Sequence, residues 1–395
     1  MPWTMRLIFI SVMSAVSYAL NVFTIAWIAS TLNFFDISML SILGAGLQSG
    51  ISSIAGTSIV ISYFLIGTVL PTRSLRWLGW LSGLWMGLIT LTLFFGGSLE
   101  LLLFILSYLS PSSVDTIRPL ASVFVLWLIC LSFVWGVWQA LLPPNVVRRE
   151  FALTKVTSDS HFNGFKIIQL SDVHIGQTIG ESLIKQMDQI CQAEDPDLIV
   201  FTGDLVDGRP QDLGDEVKLF LELGRHARFG MYCITGNHEY ISGATEWVEF
   251  IRSVGGRILT NEHIQLELGE ERLVLIGVED WDAQRFDPSR SPNLSEAMEG
   301  VDAETVSILL AHQPKAVFEA SERGVDIQLS GHTHGGQIFP FKYFIYMDQP
   351  YNEGMYQVGN TKLYVNPGTG YWGPPLRLGT RSEVSIFTLT PAERV

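Results

Sequence analysis

The chain has 395 residues, 48% of them apolar, with 25 basic and 39 acidic side chains giving a formal charge of −14. An acidic balance of that size excludes sequence-independent nucleic-acid binding, which depends on basic surface. Three cysteines (Cys130, Cys191, Cys233) are too few for a disulfide framework and are compatible with a reducing cytoplasm.

Charge is unevenly spread. Up to Leu142 the only charged residues are Arg6, Asp36, Arg73, Arg76, Glu100, Asp115 and Arg118, and none falls between Ile37 and Thr72. Apolar stretches of about 20 residues are long enough to cross a bilayer as helices. They are expected near Leu7–Ile28, Gly50–Leu70, Leu78–Phe95 and Leu120–Leu142, which makes residues 1–142 a bundle of about four transmembrane helices. Ser98–Leu109 is short and carries Glu100, so it reads as an interfacial segment or a fifth, shorter pass. The first stretch is not expected to be a cleaved leader, because no small-residue cleavage site follows it and further apolar stretches do. No expected span carries a buried ionisable residue of the kind that marks an ion path, so anchoring is the better reading. Arg6, Arg73/Arg76 and Arg148/Arg149 would all lie on one side of four spans. Basic residues prefer the cytoplasmic side, so a multi-pass membrane protein with a cytoplasmic C-terminal part is expected.

Pro143-Pro144-Asn145 breaks the last apolar stretch, with 143–160 read as a linker and 161–395 as a second domain. Runs of β-branched and aliphatic residues there predict buried strands at Phe165–Leu170, Asp197–Thr202, Gly230–Thr235, Thr305–Leu310 and Asp326–Leu329. Helices are expected at Gly180–Cys191, Leu213–Ala227, Ala244–Val254 and Pro314–Glu322. Arg272–Val278, Lys362–Val365 and Val384–Leu389 add strands without long helices between them. The class is α/β. The polar, Pro-containing stretch Glu279–Asp302 reads as a loop that shapes access to a site.

Each of the five buried strands runs into a polar tip. The tips are Ser171-Asp172-Val173-His174, Gly203-Asp204-Leu205-Val206-Asp207, Gly236-Asn237-His238-Glu239, Ala311-His312 and Gly331-His332-Thr333-His334, and they hold five of the eight histidines. In an open α/β sheet, ligands collect where loops leave the carboxyl ends of neighbouring strands. Oxygen and imidazole donors without thiolate suit divalent Mn, Fe, Co or Zn. Asp172 and His174 are alternate residues and share a face of an extended tip. A carboxylate such as Asp204 has two oxygens and can bridge two ions, which together bring a shared water towards a pKa of about 7. His238 follows the candidate ligand Asn237 and is placed to donate a proton. Asp207 is placed to hold that imidazole in one tautomer.

This ordered set resembles the calcineurin-like metallophosphoesterase superfamily over roughly Gly164 to Leu389. The run Gly331 to Gln337 resembles its membrane-linked, bacterial YkuE/YaeI-type subgroup. The resemblance implies a two-sheet β-sandwich flanked by helices and two divalent metal ions (Mn, Fe, Zn or Co) as cofactors. It assigns Asp172, His174, Asp204 and His334 to one metal, and Asp204, Asn237, His312 and His332 to the other. It makes His238 the catalytic histidine and Asp207 the carboxylate that orients it. The implied activity is hydrolysis of a phosphomonoester, phosphodiester or pyrophosphate, with a lipid-linked substrate of the UDP-diacylglucosamine type and a bacterial cell membrane fitting the subgroup. One departure argues against a protein phosphatase. Many of those have Arg directly after the second Asp, where this chain has Gly208, with Arg209 one position later. The rival reading is a membrane receptor or scaffold that binds a ligand without turning it over. The complete ligand set speaks against it.

Other residues carry blander expectations. His161, His226 and His263 read as surface or loop histidines. Glu239 is either a partner of the ligand loops or a first-turn helix acid. Gly335 and Gly336 permit a turn or a close backbone approach. Tyr371 to Arg377 resembles a closing loop of the same subgroup, with Arg377 expected in a surface salt bridge rather than against a phosphate. The basic flanks give a direct topological test. Alkaline phosphatase fused after Val395 should be silent and a fluorescent protein fused there bright; the reverse pattern would place the domain outside.

Overall fold

The computed structural model describes residues 3–32, 50–66 and 69–392, so Asp36 and part of the expected Gly50–Leu70 stretch lie outside the described residues. The chain divides into two compact units. One is built from the apolar helices up to Leu141 together with Gly373–Leu376, and the other takes in Leu142–Trp372 and the chain from Arg377 onward.

The apolar unit contains α1 (Trp3–Leu32), α2 (Gly50–Leu65), α3 (Arg76–Leu91), α4 (Gly97–Leu109) and α5 (Pro111–Leu141). Among the described residues three helices are long and apolar enough to cross a membrane: Ser11–Leu32, Arg73–Leu109 and Pro111–Leu141, with Ser52–Leu65 a shorter apolar helix. The expected four therefore become three long helices and one short one. Ser98–Leu109, expected as an interfacial segment or a fifth pass, continues the preceding helix. A single π-helical turn, Thr92–Gly96, carries α3 into α4 without a stop. No proline interrupts the join, and the bare Gly96 accepts the Trp27 ring, which a β-carbon there would meet at 3.1 Å. Polar contacts join the helices: Trp85 Nε1 donates to Asn21 Oδ1 at 2.8 Å, and the Ser62 and Ser82 hydroxyls lie 2.9 Å apart.

In the second unit the strands are β1 (Asn145–Leu153), β2 (Lys166–Leu170), β3 (Leu198–Phe201), β4 (Met231–Cys233), β5 (Arg257–Ile258), β6 (Glu262–Leu268), β7 (Glu271–Gly277), β8 (Val306–Leu310), β9 (Ile327–Ser330), β10 (Gly354–Val358), β11 (Thr361–Val365) and β12 (Glu383–Pro391). They form two six-stranded sheets, ordered β1-β12-β2-β3-β4-β5 and β10-β11-β9-β8-β7-β6. Both are mixed. β2, β3 and β4 run parallel, as do β7, β8 and β9, while β12 lies antiparallel to β2 and β6 to β7. The helices flanking the sheets include α6 (Glu181–Glu194), α7 (Pro210–Leu221), α8 (Asn237–Ser242), α9 (Ala244–Ser253) and α10 (Val317–Glu322).

The two sheets meet through alternate residues. Ile167, Leu198, Val200 and Phe387 from the first sheet join Leu275, Ile308, Leu310 and Leu329 from the second in one buried cluster. The residues between them face helices, as where the Phe201 and Phe220 rings lie 5.1 Å apart. This is the expected α/β sandwich.

The stretch 143–160, expected as a linker, holds strand β1. Its nine residues pair with β12 in parallel, and the Phe151 ring lies 4.8 Å from Phe387. Arg148, Arg149 and Glu150 give this strand no continuous apolar run. They are the exposed part of an edge strand, where charges guard against stray pairing. The helix does end where Pro143-Pro144 was expected to end it.

One bond ties the sheets at the functional end. Gln169 Nε2, buried on β2, donates to Thr202 Oγ1 at 3.0 Å and to the Ser330 carbonyl at 2.9 Å. The carboxyl ends of β2, β3, β4, β8 and β9 thus open on one place.

Candidate metal centre

The chain turns sharply as it leaves these strands. Asp172, His174, Asp204, His332 and His334 all have positive φ, between +51° and +72°, and they are five of the eight non-glycine residues so placed among the described residues. The left-handed region costs an L-residue roughly 1–2 kcal/mol. Such strain concentrates where function holds it. Glycines make the crowding possible. At Gly203 a β-carbon would lie 2.7 Å from His312 Nδ1, and at Gly236 it would collide with the Asp204 carboxylate.

Three overlapping groups of side chains result: Asp172/His174/His334, His174/Asp204/His238 and Asp204/His312/His332. In the first, His334 Nε2 lies 3.1 Å from His174 Nε2 and 3.4 Å from Asp172 Oδ1. In the third, His332 Nδ1 lies 3.3 Å from His312 Nε2 and 3.0 Å from Asn237 Oδ1. Asp204 Oδ2 faces both, 3.2 Å from His312 Nε2 and 3.9 Å from His174 Nε2. Its Oδ1 is occupied by the backbone N–H of His238 at 2.8 Å. A single oxygen of Asp204, rather than one oxygen for each group, therefore looks both ways.

These donors fit divalent ions. Ligands bound at about 2.1 Å to one ion sit roughly 3–3.5 Å from each other, which is the spacing within the first and third groups. The tautomers agree. His312 Nδ1 donates to the Thr202 carbonyl at 2.7 Å, and His174 Nδ1 to Asp207 Oδ1 at 3.2 Å. Both Nε2 atoms are left as lone pairs turned inward, as a metal requires of histidine ligands.

Electrostatics divide the histidines: burial opposes a charge on His312, but Asp204 and Asp172 hold it well above its usual value, so an ion on its Nε2 would have to displace a proton. Burial, reinforced by His312, pulls His332 down to about 3, and burial with His174 carries His334 well below its usual value. Neutral imidazoles are the ligating form. Burial opposes ionisation of Asp204, but His312, His238 and His174 outweigh it and hold the carboxyl well below the usual range. His238 behaves oppositely. Burial would depress it, yet Asp204 and Asp207 lift it to about 9, so the protein's own groups keep it a proton donor at neutral pH. Asp207 Oδ1 accepts from His238 Nδ1 at 2.6 Å as well as from His174, so one carboxylate orients two imidazoles.

A profile of calcineurin-like phosphoesterases matches residues 165–336. The chain is 35% identical over 267 residues to the transmembrane protein with metallophosphoesterase domain of Danio rerio, covering 66% of this chain and 60% of that protein. It is 34% identical over 261 residues to the uncharacterized metallophosphoesterase YkuE of Bacillus subtilis, covering 65% of this chain and 89% of that one. A Helicobacter pylori uncharacterized metallophosphoesterase is 33% identical over 270 residues, with 67% and 69% covered. The chain belongs to the calcineurin-like metallophosphoesterases.

Several residues of this metallophosphoesterase take places the sequence left open or misplaced. Glu239 is a partner of the ligand loops. Its buried carboxylate accepts the backbone N–H groups of Asp204 (3.0 Å), Leu205 (2.7 Å), Val206 (3.2 Å) and Gly236 (2.6 Å). Burial and Asp204 push it up to about 7, against the pull of those donors. Gly335 and Gly336, at φ +62° and +80°, form a turn, and a β-carbon on Gly336 would strike the backbone of Lys342. Arg209 pairs with Asp212 at 3.4 Å. His226 pairs with Asp188 and His263 with the Ala297 carbonyl, while the His161 backbone bonds Glu271. None of these three histidines belongs to the metal groups.

Sequence reasoning missed the supports. Ser171 Oγ and the His332 backbone N–H both donate to the Asp172 carboxylate. In the Glu279–Asp302 stretch, Asp280 and Asp282 accept from Gln313 Nε2, each at 3.1 Å, directly behind His312. The available signal was adjacency, since Ser171 and Gln313 neighbour candidate ligands. The Trp372 ring lies 5.7 Å from that of His238.

Arg377 is the main correction. It is fully buried rather than in a surface salt bridge, and it donates to the carbonyls of His334 (3.3 Å), Pro367 (2.9 Å), Gly368 (3.3 Å) and Gly370 (2.6 Å). The Pro367 carbonyl has this guanidinium as its donor, while the His334, Gly368 and Gly370 carbonyls also accept from Gln337 N–H, Glu383 N–H and Ser382 Oγ. Burial pulls Arg377 down to about 10, which leaves it charged at neutral pH. Arg377→Met should cost about 1–3 kcal/mol, because it leaves the buried Pro367 carbonyl without its donor and takes a second bond from the carbonyls of His334, Gly368 and Gly370. Thermal unfolding of the full chain measures the loss, and an unchanged midpoint would remove Arg377 from the fold's supports.

Proposed function

We propose that this chain is a membrane-anchored, binuclear-metal phosphoesterase that hydrolyses a phosphomonoester, phosphodiester or pyrophosphate bond. The observation that carries the reading is the sharing of Asp204 Oδ2 between two groups of buried metal-type donors. One ion is assigned to Asp172, His174, Asp204 and His334, and the other to Asp204, Asn237, His312 and His332. When bound, the two ions supply Lewis-acid stabilisation of phosphoryl oxygens and activation of a water. The chain's own residues do the rest. Asp207 holds His238 through Nδ1, which leaves Nε2 to protonate the departing oxygen. Glu239 keeps the Asp204 loop in register with α8 through its four backbone bonds. The apolar helices, and relatives named as transmembrane proteins, favour a phosphoester presented at a bilayer, of which a lipid-linked phosphate is the proposed case. The acidic surface favours no nucleic-acid substrate.

Asp204→Asn should lose both ions, since it weakens the one donor atom that faces both groups. Metal analysis of the purified full-length variant checks this, and two ions retained would sink the bridging role. Hydrolysis of p-nitrophenyl and bis-p-nitrophenyl phosphate with Mn, Zn, Fe or Co tests the reaction itself; no turnover with any of them would return the reading to a silent receptor or scaffold. In the same assay His238→Ala should lower turnover of an alkyl phosphoester by about 10²–10⁴-fold, with metal content unchanged. The loss should be smaller for p-nitrophenyl esters, whose leaving group needs little protonation. Loss of metal instead would make His238 a ligand.

A further inference from the structure

Directly after the turn that carries His334, the chain displays a run of side chains that water does not favour. Phe339, Phe341, Tyr343, Phe344, Tyr346 and Met347 are all exposed, with Tyr343 at 60%, Phe344 at 58% and Met347 at 83%. Elsewhere in this unit large exposed apolar residues are scattered along the sequence, as at Leu219, Ile241 and Phe318. Single exposed apolar residues are ordinary, whereas a contiguous patch marks an interaction surface. Rings contact within the run, Phe339 with Tyr343 at 6.0 Å and Phe341 with Phe344 at 6.1 Å, and all four still remain exposed.

We propose that Phe339–Met347 is an interfacial membrane-binding element, seating these side chains in the headgroup region of the bilayer that the chain's own apolar helices cross. The composition suits that occupant. Tyrosine and phenylalanine beside a lysine are the residues of a membrane–water boundary, where a ring lies among lipid and a polar tip reaches water. Lys342 sits within the run, with its Nζ 5.4 Å from the Tyr343 ring. The carboxylate that closes the run, Asp348, is ion-paired with Lys315 at 3.4 Å. Glu353 lies near enough to Lys342 to be stabilised by it, so the run is close to neutral and its affinity for a bilayer rests on the exposed rings and Met347.

Connectivity favours lipid over a second copy of the chain. Three residues separate the end of α5 at Leu141 from β1 at Asn145. At about 3.5 Å per residue that tether spans only about 14 Å, so the second unit is held at high effective concentration beside any bilayer that α5 crosses. A second copy is not. The element also needs little ordering. Backbone bonds from Tyr343 to Pro340, Phe344 to Phe341 and Gln349 to Ile345 hold it, and Ile338 bridges to Leu378.

The patch is continuous with the metal centre. Gln337, which precedes it, exchanges two hydrogen bonds with the backbone of Trp372 (2.7 and 2.9 Å), and the Trp372 ring adjoins His238. If the phosphoesterase reading above holds, the element delivers lipid-borne phosphate to the mouth of that centre.

The test uses the full chain in vesicles of phosphatidylcholine and phosphatidylglycerol. A nitroxide is placed singly at Tyr343→Cys, Phe344→Cys or Met347→Cys in a Cys130→Ala background. Cys191 and Cys233 are buried and burial pushes their thiols up, Cys191 to about 12, so they do not react. The ratio of oxygen to nickel-chelate accessibility should be several-fold higher at the three positions than at the exposed control Glu299→Cys. It should fall towards the control when Phe341→Ser is added to the Met347→Cys chain. Ratios equal to the control would show an aqueous segment, and protection from both reagents would show a protein neighbour such as a second copy. Either result overturns the proposal. The measurement needs no turnover, so its failure and failure of the phosphoesterase reading are separate events.

Discussion

Buried imidazole and carboxylate atoms crowded into three overlapping groups, most of them 3.1–3.4 Å from a neighbour, set the terms for this fold. His174 and His334 approach Nε2 to Nε2 at 3.1 Å while the outer nitrogen of His174 is already bonded to Asp207. Such an arrangement repels itself unless positive charge lies between. The left-handed backbone at five of these residues is the mechanical side of the same constraint. Chain leaving a strand would ordinarily carry its side chains apart, and only an abrupt reversal at each tip turns them inward.

Two buried charges on opposite sides keep those reversals in place. Glu239 gathers four backbone N–H groups from the loops after β3 and β4, and Arg377 gathers carbonyls from the loops after β9 and β11. Neither is among the groups that can hold an ion. Each satisfies main-chain groups that a regular ladder would otherwise have satisfied, so irregular loops become as rigid as the strands that feed them. Gln169 completes the frame by linking the two sheets beneath the centre.

What sequence could reveal follows from how local each signal is. The convergence of Asp172, His174, Asp204, Asn237, His312, His332 and His334 was legible because each lies directly behind a hydrophobic run whose direction a parallel sheet enforces. The edge strands were not. β1 carries Arg148-Arg149-Glu150 in its exposed centre, and β6, Glu-His-Ile-Gln-Leu-Glu-Leu, buries only Leu266 fully, so neither has the continuous apolar signature of a covered strand. Arg377 misled for a related reason. Its partners are carbonyls of a loop about ten residues away and of His334, which no charge pattern announces. The third expected stretch ended at Phe95 with Ser98–Leu109 read apart from it, yet the helix runs on through Gly96 and Gly97, with the Trp27 ring packed against Gly96.

The continuous helix Arg73–Leu109 runs for 37 residues. At 1.5 Å per residue it is about 55 Å long, far beyond a hydrocarbon core of about 30 Å. Its charges divide it. The stretch of about 24 residues from Arg76 to Glu100 measures about 36 Å, and Glu100 is held by Arg118 on the following helix at 2.8 Å. The apolar surface continues past that pair, with Leu101, Leu102, Phe104 and Leu109 exposed, so Glu100 and Arg118 neutralise each other within an apolar pair of helices. The two helices thereby keep an apolar exterior past the point where an unpaired carboxylate would have ended it.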